Sequence, residues 1–251
     1  MLHGWTATAD LNFATSYTAM RRRFRVVAMD HRGHGRGIQT LRPFRLEDCA
    51  DDAAALLDAL DVEPAIILGY SMGGPIAQLT WRRHPERVAG LVLCATAARF
   101  TRDHPRRHLF TAGLIGASLA ARATSPLLRN QAMRSYVGRR FSTDERLEWA
   151  RLQARNHDPA LVLQAGAAIA TFDSREWLPS VNVPVAVVRT DLDQLVPPHR
   201  QDELARLIPG ARTIAVAANH VSVFDNPHAI VSGIVEAAVD VAQRICVRAA
   251  A

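Results

Sequence analysis

Short β-branched runs alternate with amphipathic stretches along most of this chain, and no other feature restricts the fold as much. Residues 25–30, Arg-Val-Val-Ala-Met-Asp, form an apolar run that ends at a glycine-rich turn and read as a buried strand. Residues 46–60 carry apolar side chains at helical spacing with aspartates between them, the mark of an amphipathic helix. Residues 65–69 give the next strand, stopped by glycine, and 72–83 a helix that His84-Pro85 ends. Further strands are expected over 88–95, 185–190 and 213–217, with helices over about 198–207 and 228–242. Strands and helices in this alternation predict an α/β fold, a mostly parallel, doubly wound sheet covered on both faces.

The alternation breaks once. Between Ala95 and Val185 lie about 90 residues with no clear strand signal, helical in composition and rich in arginine. A structureless loop of that length does not suit a compact domain. The expectation is a helical cap over residues 99–180 inserted into a core made of 1–98 and 181–251. Its segment Leu109-Phe-Thr-Ala-Gly-Leu-Ile-Gly-Ala-Ser-Leu-Ala120 is apolar enough to line a pocket or touch lipid, or simply to pack on the core.

Composition removes several classes of function. At 251 residues and 49% hydrophobic, the chain can bury a full core and is not a disordered segment. Cys49, Cys94 and Cys246 are too few and too scattered for a disulfide scaffold, and they point to a reducing, cytoplasmic setting. No apolar run reaches the roughly 18 residues that a membrane span needs, and no signal peptide is visible at the start. The net charge of +6 invites a nucleic-acid partner. Yet all 30 basic residues are Arg, as a GC-rich genome favours. The basic stretch over 99–157, with 12 Arg against 4 acids, carries no nucleic-acid motif. No nucleic-acid partner is expected, and homo-oligomerisation stays open.

The chemistry gathers at three points. Gly69-Tyr70-Ser71-Met72-Gly73 falls between a predicted strand and a predicted helix. G-x-S-x-G in that setting holds the serine on a strained turn above the sheet, with glycines where a Cβ would collide. The Met72 N–H, at the helix start, then points to where an oxyanion would form. A serine hydroxyl needs a base, and the base needs an orienting acid. Asp193 follows the fourth predicted strand in Asp193-Gln-Leu-Val-Pro197, with Asp191 as its competitor, and His220 follows the last strand. The chain order Ser, Asp, His is the one expected on this architecture. At the front, His3-Gly4-Trp5 offers the Trp5 backbone N–H as a second oxyanion donor.

These residues resemble the α/β-hydrolase fold superfamily over nearly the whole chain. His3-Gly4-Trp5 is similar to its oxyanion loop and Asp30-His31-Arg32-Gly33-His34-Gly35 to its D-x-R-G-x-G turn. Gly69–Gly74 is similar to its nucleophile elbow, and Asp193-Gln-Leu-Val-Pro197 and Asn219-His220 to its acid and histidine loops. The flavour is that of small capped bacterial esterases and cofactor-free haloperoxidase-like members. The resemblance implies a serine hydrolase that cleaves an ester, lactone or thioester of a small molecule, with water as co-substrate and no cofactor. Perhydrolysis, or ligand binding with little turnover, are the alternatives it carries. Ser71 argues against the aspartate-nucleophile branches.

Two departures stand out. Asn219 occupies a position where the family usually has a small residue, often glycine. The family also carries three strands ahead of the His-Gly turn, one of them between those at 25–30 and 65–69. The expectation is therefore that the natural protein begins upstream of Met1. Other motifs are weak: Gly33-x-Gly35-x-Gly37 is not a dinucleotide fingerprint, a chain without lysine has no P-loop, and Asp30, His31 and His34 read as a turn rather than a metal site.

Overall fold

The computed structural model describes residues 1–101, 105–125, 131 and 144–249; residues 102–104, 126–130 and 132–143 of the expected cap lie outside this description. Four strands, β1 (Ala65–Tyr70), β2 (Val88–Cys94), β3 (Val185–Thr190) and β4 (Arg212–Val216), form one parallel sheet in the spatial order β1-β2-β3-β4. The register sets Tyr70 beside Cys94, Cys94 beside Val188 and Thr190 beside Val216. The carboxyl ends of the strands therefore meet at one edge, and the loops that follow them share one surface.

The strands are continuous apolar runs because both faces of the sheet are covered. Ile67, Leu91, Leu93, Val185 and Val187 pack under α2 (Leu46–Ala59), α3 (Gly73–Arg83) and α7 (Pro198–Leu207). The alternate residues Leu68, Val92, Cys94, Ala186 and Val188 pack under α1 (Ala9–Met20), the short α8 (Ser222–Asp225) and α9 (Pro227–Ala249). This is the period-two division of a strand between two helical layers. Helix positions match the expected ones to within a few residues, except that α9 runs on to Ala249.

Two features differ from expectation. Helix α1 has no apolar stripe in the sequence, because buried Asn12 and Ser16 stand among Leu11, Phe13 and Met20. Its start is nonetheless written there: Thr8 caps it, accepting from the Leu11 N–H at 3.1 Å, and Asp10 lies in the first turn. The second difference corrects the strand expected at 25–30. Only Met29 is bridged, to Leu2, which also bridges Gly69. Leu2 donates to Leu68 O at 2.8 Å and accepts from Tyr70 N–H at 3.0 Å, so one residue stands where a ladder would need several. Without a longer partner, 25–30 forms no strand and borders a groove of about 280 Å³ lined by Val26, Val27, Met29, Leu57 and Ile66.

Between β2 and β3 the described residues hold helices α4 (Pro105–Ala123), α5 (Asp144–Ala154) and α6 (Pro159–Thr171). Pro159 opens α6, and Asp158 caps it by accepting from the N–H groups of Ala160 and Leu161. Leu161 and Ala165 of α6 join the core beneath α2, while α4 turns Leu109, Phe110 and Leu119 to solvent. Among the described residues no helix is long and apolar enough to cross a membrane.

Candidate active site

At the carboxyl end of β1 the chain reverses into α3 within two residues. Ser71 sits at the turn with φ of +52°, a left-handed conformation that a non-glycine residue adopts at a cost of about 1–3 kcal/mol. The flanking glycines make that turn possible. A Cβ on Gly69 would strike the Gly73 backbone, and one on Gly73 would strike the Leu2 carbonyl. The turn is held by Ser71 N–H donating to Cys94 O at 2.9 Å, and by the Thr96 hydroxyl donating to Ser71 O at 2.8 Å. The Ser71 hydroxyl consequently rises above the shared edge of the sheet.

His220 and Asp193 reach the same place from β4 and β3. Ser71 Oγ lies 2.9 Å from His220 Nε2, and His220 Nδ1 lies 2.7 Å from Asp193 Oδ2. A buried carboxylate only accepts, so Nδ1 carries the imidazole proton and Nε2 is left to accept from the serine hydroxyl. Asp193, whose side chain is fully buried, also takes the Leu195 and Val196 N–H groups on Oδ1 at 2.9 and 2.8 Å, and the Thr190 hydroxyl on Oδ2. Asp191 instead pairs with Arg189 at 2.9 Å on the surface. The histidine loop has a second anchor that the motifs do not reveal. The Tyr70 hydroxyl donates to the His220 carbonyl at 2.8 Å.

The His3-Gly4-Trp5 turn lies against the elbow, since a Cβ on Gly4 would be 3.3 Å from Ser71 Cβ. Gly4 N–H donates to Asn12 Oδ1 at 2.6 Å, which ties the turn to α1. Trp5 points the other way: its indole N–H donates to Val162 O at 2.6 Å, and its ring fills a notch over Gly166. The backbone N–H groups of Trp5 and Met72 are not engaged by any hydrogen bond among the described residues. Met72 N lies at the amino end of α3, where aligned peptide dipoles favour negative charge.

Beside this loop lies a cluster of four buried imidazoles. The rings of His3 and His31 are 4.2 Å apart, His3 and His34 5.4 Å, and His34 and His157 5.2 Å. His3 donates through Nδ1 to Gly4 O and accepts the His31 N–H on Nε2, and His157 accepts the Gly35 N–H. Burial holds all four below the ordinary histidine range, His31 at about 3 and His157 at about 4. Asp30 accepts from Ala9 and Arg36 N–H groups, both at 2.8 Å, as a turn-forming carboxylate does. No metal-holding group of histidine, cysteine or carboxylate side chains occurs among the described residues.

Comparisons with known proteins agree with this architecture. A pimeloyl-[acyl-carrier protein] methyl ester esterase of Neisseria meningitidis is 29% identical over 227 residues, spanning 86% of this chain and 82% of its own. Among solved structures, the enol-lactonase from Burkholderia xenovorans superposes with a TM-score of 0.76 at 26% identity, covering 94% of this chain and 88% of the other. A thermophilic esterase from Thermogutta terrifontis gives 0.75 at 25% identity, covering 94% and 86%. The family model described as alpha/beta hydrolase fold matches residues 1–227, and this chain belongs to that family.

Proposed function

We propose that the protein is a serine hydrolase that cleaves a carboxylic ester, or a related lactone or thioester, of a small molecule through an acyl-enzyme. The observation that carries this is the run of two contacts, Ser71 Oγ to His220 Nε2 at 2.9 Å and His220 Nδ1 to Asp193 Oδ2 at 2.7 Å. The similarity to proteins named as a methyl ester esterase and an enol-lactonase supports the same class of bond.

In this mechanism Ser71 attacks the carbonyl carbon as His220 Nε2 takes its proton. Asp193 holds the imidazole tautomer and stabilises the imidazolium. The carbonyl π electrons move onto oxygen, and the Trp5 and Met72 N–H groups receive the resulting oxyanion. Collapse of that intermediate breaks the bond to the leaving group, which takes the proton from His220. A water then gives its proton to His220, attacks the acyl carbon and releases the acid, and Ser71 regains its hydrogen. No step calls for a cofactor.

Residues 99–180 are assigned as a cap that sets which acyl group fits, and Trp5 against α6 supports a link between that cap and the oxyanion loop. The three free cysteines favour a reducing, cytoplasmic setting. A panel of p-nitrophenyl esters, lactones, thioesters and carboxylate with peroxide tests the assignment. Ester turnover should fall by about 10³-fold or more in Ser71→Ala and His220→Ala. Wild-type turnover in Ser71→Ala would overturn it.

A further inference from the structure

Asp193 is held by more than its histidine. Behind it, at the end of β3, Thr190 is fully buried, and behind Thr190 stands Gln201 of α7, also fully buried. Gln201 Nε2 donates to Thr190 Oγ1 at 2.8 Å and to Val196 O at 2.7 Å, while Gln201 Oε1 accepts the Thr190 N–H at 3.1 Å. Turning the amide over would set its oxygen against the Val196 carbonyl and its hydrogens against an N–H, so only one orientation is satisfied. Thr190 Oγ1 therefore already receives a hydrogen, and its own single hydrogen goes to Asp193 Oδ2, 2.9 Å away.

We propose that Thr190 and Gln201 are positioning residues for the acid of the triad. They form a one-way donor chain from Gln201 Nε2–H through Thr190 O–H to Asp193 Oδ2. The proposal rests on the triad mechanism above. Three donors other than His220 hold the carboxylate: Leu195 and Val196 N–H on Oδ1 and Thr190 O–H on Oδ2. Rotating the carboxyl group breaks all three in a place that water does not reach, which leaves one lone pair of Oδ2 aimed at His220 Nδ1. Packing alone does not call for an amide there. A leucine would fill α7 equally well, but it would leave the Thr190 N–H and the Val196 carbonyl without partners.

Three variants read the chain from both ends. Thr190→Val replaces the hydroxyl by a methyl group, Thr190→Ser restores it without the methyl, and Gln201→Glu offers Thr190 an acceptor in place of a donor, so its hydrogen turns away from Asp193. The readouts are kcat and KM on a p-nitrophenyl ester, and the downfield proton resonance of the His220 Nδ1–H bond. Thr190→Val and Gln201→Glu should each lose about 10-fold in kcat with KM held within about 2-fold, and should move the resonance. Thr190→Ser should recover both. If Thr190→Val does not fold, Gln201→Glu carries the same expectation without a change in the strand. Wild-type kcat and an unmoved resonance in the folded variants would overturn the proposal, as would a Thr190→Ser as impaired as Thr190→Val. Ser71→Ala in the same series separates the two claims. Full activity there refutes the triad itself, whereas an inactive Ser71→Ala beside a fully active Thr190→Val refutes only the donor chain.

Discussion

Lowering the pH from 7 to 5 should weaken this fold through the four imidazoles beside the His3-Gly4-Trp5 turn. Each is neutral when folded, because burial penalises the charged form, and each protonates freely near 6.5 once unfolded. The unfolded chain then binds more protons than the native one. Stability is full above pH 6.5 and is lost as pH falls from there toward the folded values. With His31 at about 3 and His157 at about 4, each contributes a loss of about 2 kcal/mol between pH 7 and 5, or about 4 kcal/mol together. His3 and His34 add to it with the same sign. A domain stable by roughly 5–15 kcal/mol would lose a large part of its margin. Urea unfolding followed by circular dichroism at pH 7, 6 and 5 measures this directly. His31→Leu isolates one group, since neither ring nitrogen of His31 has a hydrogen-bond partner among the described residues. That variant should be as stable as wild type or more so at pH 7, and should gain about 2 kcal/mol over it by pH 5. A wild-type stability flat to within about 1 kcal/mol across this range, or an unchanged slope in His31→Leu, would refute the reasoning.

Three further outcomes follow from the site. Gly166→Ala places a Cβ 2.6 Å from the Trp5 ring, so the turn proposed to bind the oxyanion should shift; kcat should fall about 10-fold or more with KM little changed, measured by steady-state ester hydrolysis. Asp193→Asn should keep the fold, as judged by thermal melting, yet lower kcat by about 10³–10⁴ because the imidazole then favours the wrong tautomer. Tyr70→Phe removes the hydrogen bond to the His220 carbonyl; urea unfolding should show a loss of about 1 kcal/mol, accompanied by a lower kcat.

The sequence disclosed those parts of the molecule in which local pattern and tertiary role coincide. Strands buried on both faces are apolar without interruption, so β1, β2 and β3 stand out, and Ser71 lies in a turn whose glycines are required by close backbone approach. Asp193 and His220 were legible because both follow parallel strands that end at one edge. What stayed hidden depends on partners remote in the chain. The strand expected at 25–30 has the composition of one, but pairing is not a property of a segment: among the described residues Leu2 bridges Met29 and the Met1 amino group donates to Val27 O, too few contacts for a ladder. Helix α1 buries Asn12 and Ser16, which masks its periodicity, although Thr8 marks its start. Tyr70, Thr190 and Gln201 act through hydrogen bonds that exist only after folding.

The central claim is that Ser71 is an activated nucleophile. Intact mass after treatment with a fluorophosphonate probe, on the wild-type protein and on Ser71→Ala of matching circular dichroism, tests it most directly. The account predicts one covalent adduct on the wild type and none on the variant. Equal labelling of Ser71→Ala, or no adduct on folded wild-type protein, would contradict it.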